Sequence, residues 1–181
     1  MNYLVNIFGG FDCGKSKMMY TIASELSWKN INVEIAPNFA KDLIYEERFD
    51  AMENQVYIFG NQLNRIQKVQ KDAKITITNS PLLLSLLYKP DWLNNDAFKD
   101  LVLEMHNMYN NINYFIKRFR RCNLNERQTE AIEYDAKIIQ ILNDNKVEYK
   151  DIPESKTGAY IMIDDILNEI QLNYKIGGKA K

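Results

Sequence analysis

Short apolar runs and longer stretches of helical spacing take turns along this chain. "YLVNIF" (3–8) is apolar but for Asn6 and is stopped by Gly9-Gly10, which predicts a buried strand of the parallel-sheet kind. From Lys15 to about Trp28 the apolar positions 18, 19, 22, 23 and 26 predict a helix. "NVEIAP" (32–37) predicts a second strand, closed by Pro37. Residues 38–48 read as helical, and a further helix over about 51–72 carries Val56, Tyr57, Phe59, Leu63, Ile66 and Val69 on one side. "AKITITNSP" (73–81) predicts a third strand, and the "LLLSLLY" that follows a short buried helix. A loop with Pro90 leads to a helix near 94–109. "INYFIKRF" (112–119) predicts a fourth strand, "RRCNLNER" (120–127) a polar, basic loop or lid, and 127–145 a helix with Ile132, Ala136, Ile139 and Leu142 on one face. "VEYKDI" (147–152) reads as a fifth strand and 157–172 as a last helix.

Strands alternating with helices of this length predict an α/β fold: a five-stranded parallel sheet in a three-layer α/β/α arrangement. The expected organisation is one domain over 1–174, with a small basic lid at about 118–129 and a flexible tail at 175–181. A chain of 181 residues, 46% of them hydrophobic, can bury a real core. The formal net charge of −1 argues against a broadly basic nucleic-acid coat, while leaving room for a local basic groove. Cys13 and Cys122 are the only cysteines and have no metal-type spacing. With no basic leader at the N-terminus and no apolar run near the ~20 residues that span a bilayer, the expectation is a cytoplasmic protein without a membrane partner.

"GGFDCGKS" changes the picture. Gly9, Gly14, Lys15 and Ser16 have the spacing G-x-x-x-x-G-K-[ST], after an expected strand and at the start of an expected helix. Backbone N–H groups of such a loop curl around phosphate oxygens, and the helix behind it points its positive end at the anion. Gly9, Gly10, Phe11, Asp12, Cys13, Gly14, Lys15, Ser16 and Lys17 are therefore the expected nucleotide-binding stretch of a P-loop NTPase fold. Lys15 would reach the β- and γ-phosphates of ATP and Ser16 would ligate Mg²⁺. Cys13 reads as a small filler inside the loop.

A kinase needs more: a carboxylate for the acceptor hydroxyl, a carboxylate that holds Mg²⁺, and arginines that neutralise the transferring phosphoryl group. Arg118, Arg120, Arg121 and Arg127 cluster after the fourth strand, where a nucleoside-kinase lid would sit; a solvated basic loop is the plainer reading. Arg118 and Arg127 are taken as catalytic candidates, Arg120 and Arg121 as nucleotide contacts. The acids are missing. Asn38 ends the second strand and Asn79 the third, where carboxylates are expected. Asn79 could coordinate a metal through its carbonyl but cannot take a proton as a carboxylate does. Asp42, one helical turn beyond Asn38, is the acceptor-side alternative, against plain helix-surface charge. Asp12 beside a triphosphate is repulsive unless it points outward or meets Mg²⁺.

Several residues read as structural. His106, the only histidine, is expected at a surface or C-terminal helix position. Trp28 is expected against the sheet and Trp92 in the core or an interface. Tyr109, Tyr114, Tyr134 and Tyr149 are expected to pack.

"GGFDCGKS", "VEIAPNFAKDLIYEERF", "QVYIFGNQLNRI", "ITITNSPLLLSLLY" and "YFIKRFRRCNLNERQTEAIEYDAKI" together resemble a family of phage-encoded P-loop proteins, described as AAA-type ATP-binding proteins or nucleotide-kinase-like ATPases. The resemblance runs to about residue 145. It implies ATP and Mg²⁺ as cofactors, and it carries over Lys41, Asp42, Arg48, Ser80, Arg118, Arg127, Gln128 and Thr129. The family's strand-end acids align with Asn38 and Asn79 and its tyrosine with Phe39; the lid here is one residue shorter and lacks the family's prolines and glycine.

Three functions follow as expectations. The first is a kinase acting on a nucleoside, nucleotide or modified base. The second is a weakly active or inactive nucleotide-binding protein that works through a partner in phage nucleic-acid metabolism or counter-defence. The third is an enzyme acting directly on nucleic acid, against which the acidic total charge counts. The oligomeric state is not legible.

Overall fold

A computed structural model describes residues 2–93, 96–118 and 125–177, apart from the side chains of Asp91 and of 172–177. Five strands, β1 (Tyr3–Phe8), β2 (Val33–Ala36), β3 (Ile75–Thr78), β4 (Asn110–Lys117) and β5 (Lys150–Pro153), form one parallel sheet in the order β2-β3-β1-β4-β5. Tyr3 pairs with Ile75 of β3 on one side and with Asn110 of β4 on the other. The first strand in sequence is therefore the central one, buried at every residue.

Helices cover both faces. Helices α1 (Lys15–Trp28) and α7 (Lys156–Gly177) pack Met18, Met19, Ile22, Leu26, Met162 and Ile166 against Val5, Ile7, Ile75, Ile77 and Ile116. On the other face α4 (Gln55–Gln70), α5 (Asp96–Asn107) and α6 (Glu126–Asp144) set Phe59, Ile66, Phe98, Val102, Ile138 and Leu142 against Leu4, Phe8 and Phe115. The alternation of strand residues between the two clusters is the period-two geometry of a sheet covered twice. The predicted α/β/α architecture with its five parallel strands is the observed one.

Differences are local. The helix expected over 38–48 is α2 (Phe39–Tyr45), followed by one short turn, α3 (Phe49–Met52); α4 starts at Gln55 because Asn54 accepts from Tyr57 N–H and caps it. "LLLSLLY" forms a 3₁₀ turn over Leu82–Leu86, and a second covers Asp91–Leu93. β4 begins two residues earlier than expected. β5 begins later, after the turn at Lys146, whose φ is 54°. α7 carries helix as far as Gly177.

Expectations for three side chains change. His106 lies in the last turn of α5, the C-terminal helix position expected, but it is 3% exposed rather than at the surface. Trp28 is 83% exposed and so does not pack against the sheet, and Trp92, 69% exposed, is not in the core. No helix among the described residues is long and apolar enough to cross a membrane.

Candidate active site

The loop between β1 and α1 lies at the carboxyl end of the central strand, flanked by the ends of β3 and β4. Gly14 caps α1 with φ of 79°, a left-handed value that disfavours a side chain, and no side chain caps the helix. The first turn of α1 carries no acidic residue. Its leading amides have no partner within the helix, as at any helix start, and they face an end of positive dipole.

Lys15 lies inside this loop. Its ammonium donates to Gly9 O at 2.7 Å and to Gly10 O, with the Cys13 sulfur 3.8 Å away. Burial holds the lysine below its ordinary pKa, and the nearby Arg118 charge pushes the same way. Cys13 is fully buried and bonds Gly10 O at 3.2 Å; burial pushes its thiol up, so it fills space and is no thiolate. Ser16 Oγ accepts from Asn79 Nδ2 at 2.9 Å, which joins the start of α1 to the end of β3. Asn79 Oδ1 is buried and without a hydrogen-bond partner.

The other face of the loop meets α6. Gly10 N–H donates to Asp135 Oδ1 at 2.5 Å, and Arg118, just past β4, holds Asp135 Oδ2 through Nε at 2.5 Å. Arg118 Nη2 donates to Phe11 O. Arg127, in the first turn of α6, pairs with Asp12 at 2.8 Å and stands over the Phe11 ring at 5.7 Å. Tyr134 meets the same ring edge-on, and Tyr88 stacks on Tyr134 with its hydroxyl pKa pushed up to about 12 by burial. Asp12 thus turns away from the cradle to an arginine.

The acceptor-side candidates are occupied otherwise. Asn38 accepts from Ala40 N–H and caps α2. Asp42 is ion-paired with Arg65, whose guanidinium also lies over the Phe39 ring at 4.9 Å. Gln62, buried between α4 and the sheet, accepts from Phe39 N–H and donates to Ala36 O and Thr78 Oγ1. Lys41 and Arg48 sit over the rings of Tyr45 and Tyr57, and Ser80 N–H donates to Thr78 Oγ1. Lys17 is exposed, 3.7 Å from Glu154. Gln128 completes a capping box with Asn125 at the start of α6, and Thr129 Oγ1 donates to Asn125 O. Arg120, Arg121 and most of the expected lid, 119–124, fall outside the described residues.

Gly9–Ser16, Arg118, Arg127 and Asn79 are thus brought to one end of the sheet. Asp42 is held apart on α2 by Arg65. Sequence reading missed Asp135, Glu154 and Arg65, while Tyr134 packs as expected, against Phe11 and Tyr88. Asp135 was discoverable: Arg127, Ala131 and Asp135 follow at i, i+4 and i+8, one stripe of a helix starting next to the basic cluster. Glu154 left no signal, because its pairing with Lys17 beside Gly14 depends on where β5 ends.

Neutral oxygens from Ser16 and Asn79, one of them buried and unsatisfied, fit a divalent cation whose remaining ligands come from phosphate and water. Among the described residues no three His, Cys, Asp or Glu gather as a metal cluster.

No protein-family model matches the chain, and no curated protein matches it in sequence. Solved structures do match in shape. One is NadR protein in complex with NR, at a TM-score of 0.66 and 14% identity over 90% of this chain and 49% of that one. Another is thymidylate kinase from Ehrlichia chaffeensis, at a TM-score of 0.61 and 12% identity over 92% of this chain and 98% of that one. The chain spans about half the length of the NadR chain it matches. At these identities the likeness establishes the fold alone, an α/β fold that this chain shares with both structures.

Proposed function

We propose that this protein is a P-loop kinase that binds ATP with Mg²⁺ and transfers a phosphoryl group to a nucleoside, nucleotide or modified base. The observation that carries the reading is the Lys15 ammonium, desolvated among the loop carbonyls of Gly9 and Gly10 at the uncapped start of α1. A cation in that position, without a carboxylate in hydrogen-bond contact, is suited to a phosphate chain.

In this reading the loop amides and Lys15 cradle the β- and γ-phosphates. Ser16 and Asn79 would hold Mg²⁺, which neutralises charge on the phosphate oxygens. Arg118 and Arg127 meet the charge of the phosphoryl group in flight. The acceptor lies between the start of α2 and the residues after Asn79. No free carboxylate is assigned there, since Arg65 engages Asp42. A loose phosphoryl-transfer transition state asks little of a base, so positioning and charge can carry much of the rate.

A second reading, a nucleotide-binding protein of weak activity that acts through a partner, is favoured by one observation: amides stand at the ends of both β2 and β3. Calorimetry with Mg²⁺-ATP, followed by a transfer assay over a panel of nucleosides and monophosphates, tests the proposal. Heat on binding and a phosphorylated product support it. Binding without product at any acceptor favours the second reading, and no binding overturns both. Asn79→Asp is expected to raise turnover at least tenfold by restoring a charged metal ligand, read as initial rate against Mg²⁺ concentration.

A further inference from the structure

The contact between α6 and the phosphate loop is tighter than packing requires. A Cβ on Gly10 would lie 2.9 Å from Ala131 O, 3.0 Å from Arg118 Nη2 and 3.0 Å from Asp135 Oδ1, so this glycine lets the helix and the loop backbone touch. Asp135, with its side chain 13% exposed, spends one oxygen on Gly10 N–H and the other on Arg118. Arg118, 18% exposed, spends its remaining reach on Phe11 O. Arg118 is also near enough to Lys15 for its charge to lower the lysine pKa. Two cations thus stand together at the loop against a single buried carboxylate, an imbalance that an anionic ligand would relieve.

We propose that Asp135 is the positioning residue of this site: it fixes the loop through Gly10 and holds Arg118 beside Lys15, where the guanidinium meets the terminal phosphate of a nucleoside triphosphate and nothing of a diphosphate. The inference rests on the nucleotide-binding reading above. Asp135 touches no substrate; it acts through Arg118. Its charge holds the planar guanidinium against the loop, and its second oxygen keeps the loop from rotating away when the lysine leaves the carbonyls for phosphate.

The test compares Mg²⁺-ATP and Mg²⁺-ADP affinities by calorimetry for the wild type, Asp135→Asn, Arg118→Gln and the double variant. Asp135→Asn preserves an acceptor for Gly10 N–H and removes the charge that holds Arg118. It is expected to weaken ATP about tenfold while ADP stays within about twofold, as befits one charge-assisted contact to the third phosphate. Arg118→Gln should do the same, and the double variant should lose no more than the worse single variant, because the two residues act as one. Equal losses for ATP and ADP overturn the proposal in favour of a purely structural role for Asp135. So do unchanged affinities, or additive losses in the double variant. A wild type that binds neither nucleotide removes the underlying reading as well, and that pattern differs from all the others.

Discussion

His106 shows how one side chain can tie folding to acidity. Burial between α5 and the sheet pulls its pKa down to about 4, and its Nδ1 has no partner. The unfolded chain, with a histidine of ordinary pKa near 6.5, binds the proton more readily than the folded one. Stability is therefore complete above about pH 6.5 and falls as pH drops toward 4. Urea unfolding at pH 7 and pH 5 should differ by about 2 kcal/mol from this group alone, and His106→Leu should flatten the difference. The residue scale is also where the sequence was hardest to read. The face that His106 takes is marked only by its place four and eight residues after Val102 and Phe98, and Trp28 and Trp92 are apolar enough to suggest burial that the fold does not give them. Asn38 looked like a displaced catalytic acid, yet it satisfies a backbone amide at the start of α2. Its replacement by glutamate would forfeit that cap, about 1 kcal/mol of stability, whatever it did for turnover.

Among the elements, legibility followed periodicity. β1 and α1 were read to the residue, because a closed apolar run and a 3.6-residue stripe leave one interpretation each. The break between α3 and α4 was missed, since Asn54 caps through a hydrogen bond that periodicity does not register. The join of β5 to α7 was equally silent. There a Cβ on Gly158 would come within 2.1 Å of Pro153 O, while Gly158 N–H donates to Ser155 Oγ. Gly158→Ala must force α7 off the strand. A loss of about 3 kcal/mol is expected, seen in a thermal melt as a fall on the order of 10 °C. Asn125 makes a milder case. Its side chain accepts from Gln128 N–H, and Asn125→Ala should cost about 1 kcal/mol through the frayed start of α6.

At the level of the whole molecule, the sheet order gathers the candidate site. The loop after β1, Asn79 after β3 and Arg118 after β4 come from neighbouring strands of one sheet, so a ligand that bridges them stabilises the fold globally. With Mg²⁺-ATP at 100 times its Kd, the gain should be about 2.7 kcal/mol, or roughly 5–10 °C in the melting midpoint. Lys15→Ala should erase that shift and leave the unliganded midpoint nearly in place. The strand alternation announced this gathering, because parallel sheets bring the ends of their strands to one edge. It could not announce which side chains would use the edge, since the pairing of Asp135 with Gly10 spans 125 positions.

The same sheet order governs how the chain can be made. β1 has hydrogen-bonding neighbours on both sides, and the β4 side pairs residues more than a hundred positions apart, Tyr3 with Asn110. A growing polypeptide can seat β1 against β3 long before β4 emerges from the ribosome. Until then a strand apolar but for Asn6 offers a naked edge to any other nascent chain. Synthesis that stalls between the third and fourth strands would consequently leave a sticky half-sheet, and the cell's chaperones would meet this protein at its middle strand.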